Sequence, residues 1–202
     1  KEEMLQTLED QLGDWSFGEK SAAPPSVDPV DVAGIYYVDQ DVSQGGVRIV
    51  LRSLRRDDED LVAAIIMNYI LGGGGFSSRI TQTVRSDEGL AYSAGSFLAP
   101  GVYMDGVWGA GYESKSTTVA LAASLVFDEI KKIKEKLVSE DDLALAKGAL
   151  VEQFPSTFQS KSQTIGVFVD DEMTERDPDF WSVYKDRVEE VIKYMEVVGE
   201  KY

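Results

Sequence analysis

Three carboxylate runs and one glycine run are the stretches whose composition most directly suggests chemistry. Asp57-Asp58-Glu59-Asp60, Glu140-Asp141-Asp142 and Asp170-Asp171-Glu172 could in principle ligate a hard cation or supply an acid/base pair. None has the spacing of an EF-hand loop. Two stand at the starts of expected helices, where negative charge complements the helix dipole, and the third reads as a solvated helical face. All three are therefore read as structural. Gly72-Gly73-Gly74-Gly75-Phe76-Ser77-Ser78 invites comparison with a phosphate-cradling loop, because glycine backbone leading into a helix can present N–H groups to an anion. The run follows a helix rather than a strand and lacks the Gly-Lys-[Ser/Thr] ending, so it is read as a helix C-cap and hinge.

Composition removes further classes. The sequence has no His and no Cys, which excludes the usual general base, the thiol nucleophile and nearly every zinc ligand set. With 20 Lys+Arg against 36 Asp+Glu the net charge is −16, which repels phosphate backbones and anionic bilayers, so neither nucleic acid nor a membrane is an expected partner. At 202 residues and 43% apolar the chain can bury a full core without disulfides, leaving cytoplasm and periplasm equally open. It reads as soluble, with no apolar run near the roughly 20 residues of a membrane span.

The elements that would position functional residues follow from periodicity. Met4, Leu5, Leu8, Leu12 and Trp15 give a short amphipathic leading helix, and residues 18–29 a Pro/Ser/Ala connector, so 1–29 precede a domain expected over 30–202. Ile35–Val38 and Val47–Leu51 read as neighbouring strands. Asp57-Asp58 is expected to cap a helix bearing Leu61, Val62, Ile65, Ile66, Tyr69 and Ile70, stopped by Gly72 to Gly75. A short helix over 77–84, a reversal at Gly89, a strand over 90–98 and a strand over 102–112 follow, the last two as a hairpin about Pro100-Gly101. The longest helix runs from Val119 to Leu137, the next starts at Ser139, and two more occupy 158–175 and 179–198, divided near Asp177-Pro178. This order predicts an α+β two-layer sandwich, a mainly antiparallel sheet with helices packed on one face. By themselves, Arg85 reads as a surface partner of Asp87 or Glu88 and Tyr92 as an ordinary strand aromatic.

One segment resembles a known family. Leu71-Gly-Gly-Gly-Gly-Phe-Ser-Ser-Arg-Ile80, continued by Val84-Arg85-Ser86-Asp87-Glu88-Gly89-Leu90-Ala91-Tyr92-Ser93, closely resembles LGGGxxSRL…LRExxGLAYS of the pitrilysin/insulinase-type zinc metallopeptidases, the inverzincin group that includes the mitochondrial processing peptidases. Several separated elements occur in order and at the family's spacing. The likeness extends more loosely to the leading helix ending in Gly-Asp-Trp, to Gln44 near a strand start and to the Ser-Glu-Asp-Asp helix start.

The resemblance implies paired homologous α+β domains, of which only one carries the zinc motif H-x-x-E-H. Without histidine, this chain resembles the other, C-terminal-type domain, which faces the zinc site and contributes an Arg and a Tyr seven residues apart. Arg85 and Tyr92 match that pair. The implied role is hydrogen-bond donation to the scissile carbonyl oxygen as it gains negative charge. Ser78, Arg79 and Glu88 also match and are read as supporting the loop, and Gly72, Gly73, Gly74 and Gly75 as shaping a substrate chamber or hinge. No cofactor is expected in this chain. Zinc is expected in a homologous partner domain, on the same polypeptide or in a separate subunit, and the substrate is a peptide or unfolded polypeptide. Alone the chain is expected to be inactive. A catalytically inert scaffold domain of the same fold is the alternative. Relatives usually add a strand after the last helix, so the chain is expected to be a fragment truncated at both ends.

Overall fold

The computed structural model describes residues 1–16, 18, 19, 22, 24, 25 and 33–191. The leading helix, α1 (Glu2–Leu12), forms as its periodicity dictates and ends at Gly13, with none of its residues buried. Its stripe of Met4, Leu5, Leu8 and Leu12 stays exposed. Much of the expected connector and everything beyond residue 191 in the last expected helix lie outside the described residues.

Ile35–Val38 is not a strand. These four residues lie in irregular backbone and are 75–98% exposed. Their β-branched and aromatic character favours a pleated surface only where a neighbour buries it, and no described strand pairs with them. The sheet begins instead at β1 (Gln44–Ser53). After it, Arg55 pairs with Asp57 at 3.0 Å, and the Asp58 carboxylate accepts the Asp60 N–H at 2.9 Å. Asp57-Asp58 thus shapes the turn before the helix rather than capping it. Asp60 is the N-cap, and its side chain makes no cap hydrogen bond.

Helix α2 (Leu61–Asn68) runs on as a π-helical turn over Tyr69–Gly73 and ends inside the glycine run, with Gly74 as its C-cap. A Cβ on Gly72 would lie 2.4 Å from the Ser96 backbone nitrogen, so glycine here lets the helix end touch strand β2 (Ala91–Ala99). Between them stand the short α3 (Arg79–Thr81) and a second π-helical turn, Gln82–Asp87. β3 (Gly106–Lys115) closes the hairpin, the residues 102–105 being a turn rather than strand. The order is β1-β3-β2 with both pairings antiparallel, Gln44 opposite Lys115 and Ala99 opposite Val107.

The helices cover one face of this sheet. Val47, Ile49, Trp108, Ala110 and Tyr112 pack with Leu71, Ile80 and Val84 and with Ala122 and Val126 of α4 (Val119–Glu135). The Tyr112 hydroxyl donates to the Val119 carbonyl at 2.7 Å. On the opposite face Val50, Phe97 and Val107 remain exposed. A second cluster joins α2 to α5 (Glu140–Gln153) and α7 (Phe180–Glu190) through Leu61, Ile66, Ile70, Ala146, Tyr184 and Val188. The Ser139 hydroxyl caps α5 by accepting the Asp142 N–H at 3.1 Å. Helix α6 (Lys161–Met173) starts on a capping box between Ser160 and Gln163, after a 3₁₀ turn over Phe154–Phe158.

In the third acidic run Asp170 and Glu172 are exposed on α6, as expected, but Asp171 is largely covered. Arg56, whose side chain is 9% exposed, pairs with Asp170 at 3.3 Å and Asp171 at 3.2 Å, and Arg176 approaches Asp171 to 2.7 Å. Burial and the neighbouring Arg56 charge lower the Arg176 pKa, against the attraction of Asp171 and Asp170. This network holds the α6–α7 corner to the chain entering α2.

Candidate functional site

Arg85 and Tyr92 are brought together by the turn between α3 and β2. Val84 is fully buried in the sheet cluster, which fixes the π-helical turn that carries Arg85. Thr83 tightens it from the other side, donating to Glu129 of α4 at 3.3 Å, while Glu129 is paired with Lys132 at 2.7 Å. The chain then reverses: Leu90 N–H reaches the Val84 carbonyl at 2.9 Å, and Gly89 has φ +60°. That left-handed conformation is one glycine adopts readily.

Tyr92 follows at an irregularity in the ladder. Between the pairs Ala91↔Ser114 and Ala94↔Tyr112 strand β2 advances three residues while β3 advances two. Such a bulge re-aims side chains, and here Ala91 is buried while Tyr92 is 85% exposed. The Arg85 guanidinium carbon lies 5.0 Å from the centre of the Tyr92 ring, within cation–π range. Neither Asp87 nor Glu88 pairs with Arg85, and among the described residues no carboxylate is within ion-pair distance of it. The guanidinium therefore keeps its N–H donors available at the rim of the protein.

A residue the sequence reading passed over completes the group. Phe76, 68% exposed, places its ring centre 4.3 Å from the same guanidinium carbon. It stands at the end of the glycine run, directly after Gly75 at φ +63°. The one sequence signal was a large apolar residue where a glycine-rich turn ordinarily continues with small polar ones. Thr81 was also missed, though it ties the site together. Ser78, 1% exposed, shares its one Oγ proton between the Gly75 carbonyl at 2.7 Å and Thr81 Oγ1 at 2.9 Å, and Thr81 Oγ1 donates to the Ala94 carbonyl at 2.8 Å. The loop bearing Phe76 is thereby pinned to the strand bearing Tyr92. Arg79 points away from this group, pairing with Asp142 at the start of α5 at 2.9 Å. Glu88 is exposed at the reversal, its N–H bonded to the Thr83 carbonyl at 3.3 Å.

The arrangement can donate hydrogen bonds to an oxygen gaining negative charge, from a guanidinium and a phenol on one exposed ledge. It offers no metal set: the chain has no His or Cys, and among the described residues no three acidic side chains converge on one point. Two hollows of about 530 Å³ and 600 Å³ lie beside Arg56, Arg176 and Phe180, and neither is lined by Phe76, Arg85 or Tyr92. Among the described residues no helix is long and apolar enough to cross a membrane.

Comparison with known proteins bears on what the ledge is for. A family model described as "Peptidase M16 inactive domain" matches residues 1–150. An uncharacterized zinc protease of Rickettsia bellii is 27% identical over 141 residues, covering 69% of this chain and 33% of the relative. A non-peptidase homolog of Helicobacter pylori is 32% identical over 98 residues, covering 48% and 22%. Among solved structures, a protease from Helicobacter pylori superimposes with a TM-score of 0.85 at 17% identity, over 100% of this chain and 49% of that one. The chain thus spans a third or less of these curated relatives and about half of that solved protein.

Proposed function

Because the chain belongs to the peptidase M16 inactive domain family, we propose that it is the half of a pitrilysin/insulinase-like zinc peptidase that holds the substrate and stabilises the scissile carbonyl. Its own residues do not fit zinc, having no His or Cys and no convergent acidic triad among the described residues. The metal belongs to a homologous domain outside this chain, where it would supply an activated water. What this chain contributes is donors. Arg85 and Tyr92 hydrogen-bond the carbonyl oxygen of an extended peptide or unfolded polypeptide, strengthening as that oxygen gains charge in the transition state.

The observation that most supports this reading is the state of Arg85. It lies 5.0 Å from the Tyr92 ring, on a rim where Tyr92 is 85% exposed, and no described carboxylate neutralises it. Left unpaired, the guanidinium keeps donors for a carbonyl oxygen presented by a facing domain. A scaffold has no need of two donors at this spacing, which disfavours the inert alternative.

The test uses the full-length protein or the complex with its zinc-bearing half. Tyr92→Phe removes one hydroxyl and keeps the ring beside Arg85. Casein cleavage should slow by about 10²- to 10³-fold, as for loss of one oxyanion donor. An unchanged rate in a folded, zinc-loaded variant removes Tyr92 from the chemistry.

A further inference from the structure

We propose that Phe76 is a positioning residue that orients Arg85, an inference that rests on the role just given to Arg85. An arginine at a protein surface has many rotamers, and each hydrogen bond it makes to substrate must overcome that freedom. Among the described residues Arg85 has no ion pair to limit it. What it has is two rings, Phe76 at 4.3 Å and Tyr92 at 5.0 Å from its guanidinium carbon. A flat cation held against π-faces is restrained in position, while its N–H groups, which lie in its own plane, remain free to donate at the edge.

Phe76 is the nearer ring and the one held in place by dedicated backbone. Gly75 turns the chain at φ +63°. Ser77 Oγ bonds the Gly74 carbonyl at 3.0 Å and Ser78 Oγ the Gly75 carbonyl at 2.7 Å, on either side of the Phe76 position in the turn. Thr81 carries the restraint to Ala94 in β2. The ring is not core: at 68% exposure it buries little, and neither hydrophobic cluster includes it. A phenylalanine that fills no core, fixed by hydrogen-bonded backbone against a guanidinium, serves the guanidinium.

The experiment measures cleavage of fluorescein-labelled casein at saturating concentration by the full-length protein or its zinc-bearing complex. Thermal unfolding confirms that each variant folds. Phe76→Leu keeps apolar bulk and removes the π-face, and turnover should fall roughly 5- to 30-fold, the equivalent of one to two kcal/mol. Phe76→Tyr keeps the face and should stay within about twofold of wild type, since the aromatic ring supplies the interaction. In an Arg85→Ala background Phe76→Leu should cost nothing further, because a residue acting through Arg85 has nothing left to orient. Equal loss in Leu and Tyr variants, no loss in Leu, or an additional loss in the Arg85→Ala background each overturns the role of Phe76. If Arg85→Ala alone leaves turnover unchanged, the role of Arg85 is what fails, and the positioning role falls with it.

Discussion

Replacing Gly72 by alanine should unsettle the joint on which the ledge is built. A Cβ there would meet the Ser96 backbone nitrogen at 2.4 Å, Ser96 Oγ at 2.5 Å and Ser96 Cβ at 2.8 Å. Ordinary contacts begin near 3.4 Å, so the end of α2 and strand β2 must part by about 1 Å, and a rigid backbone atom cannot rotate aside as a side chain would. The shift also strains the bridge in which Asn68 Oδ1 accepts from Ser96 Oγ at 2.8 Å and Trp108 Nε1 at 3.0 Å. Overpacking of this kind costs about 1–3 kcal/mol, partly offset by the ~0.4–1 kcal/mol that alanine gains over glycine by restricting the unfolded chain. For a protein of this size each kcal/mol moves Tm by about 2–4 °C, so thermal unfolding followed by circular dichroism should show a drop of several degrees. Gly148 in α5 is the matched control. It is exposed, and a Cβ there meets nothing within 4 Å, so Gly148→Ala should raise stability by about 0.5–1 kcal/mol. Finding Gly72→Ala neutral or stabilising would refute the reading that glycine is required there for close approach.

Ser160→Ala removes the half of the capping box in which Ser160 Oγ accepts the Gln163 N–H and keeps the half in which the backbone N–H of residue 160 donates to Gln163 Oε1; it should cost about 1 kcal/mol in urea unfolding. Burial raises the pKa of Tyr112 and of Tyr184 above the ordinary 10.0, so the folded state holds these protons more tightly than the unfolded state. Their contribution is complete below about pH 10 and is lost as pH rises beyond it; the urea midpoint should fall there, less steeply in Tyr184→Phe. Purified alone, the chain should bind no stoichiometric zinc by elemental analysis, because it lacks His and Cys and the ligand sets zinc prefers. One tightly held zinc per chain would overturn the assignment to the metal-free half.

The order of elements from β1 to α7 was legible because local signals mark them: the β-branched, apolar run of Val47–Leu51, helical spacing in Val119–Leu137, the Ser139 cap. Ile35–Val38 was misread because strand propensity records what a segment suits, not whether a neighbour exists to bury it. The glycine run was legible as a stop, and the helical backbone does end there, at Gly73. What propensity could not show is the π-helical turn over Tyr69–Gly73 and the close approach of Gly72 to Ser96, 24 residues later. Asp171 looked solvated because its partners, Arg56 and Arg176, lie 115 and 5 residues away and are brought to it by the fold. At the ledge, the roles of Arg85 and Tyr92 came from motif resemblance; helix-end charge preference and strand propensity alone pointed to an ion pair with Asp87 or Glu88 that is absent among the described residues. Phe76 escaped notice because its partner is fixed by three-dimensional closure of the loop, through Ser78 and Thr81, rather than by any spacing in the chain.

The central claim is that this domain lends Arg85 to a reaction whose metal lies elsewhere. It is tested most directly by casein cleavage by the full-length protein or its zinc-bearing complex, carrying Arg85→Ala, with zinc content and thermal unfolding checked alongside. Turnover should fall by about 10²- to 10³-fold with zinc content and assembly unchanged. Wild-type turnover from a folded, zinc-loaded Arg85→Ala protein would contradict it.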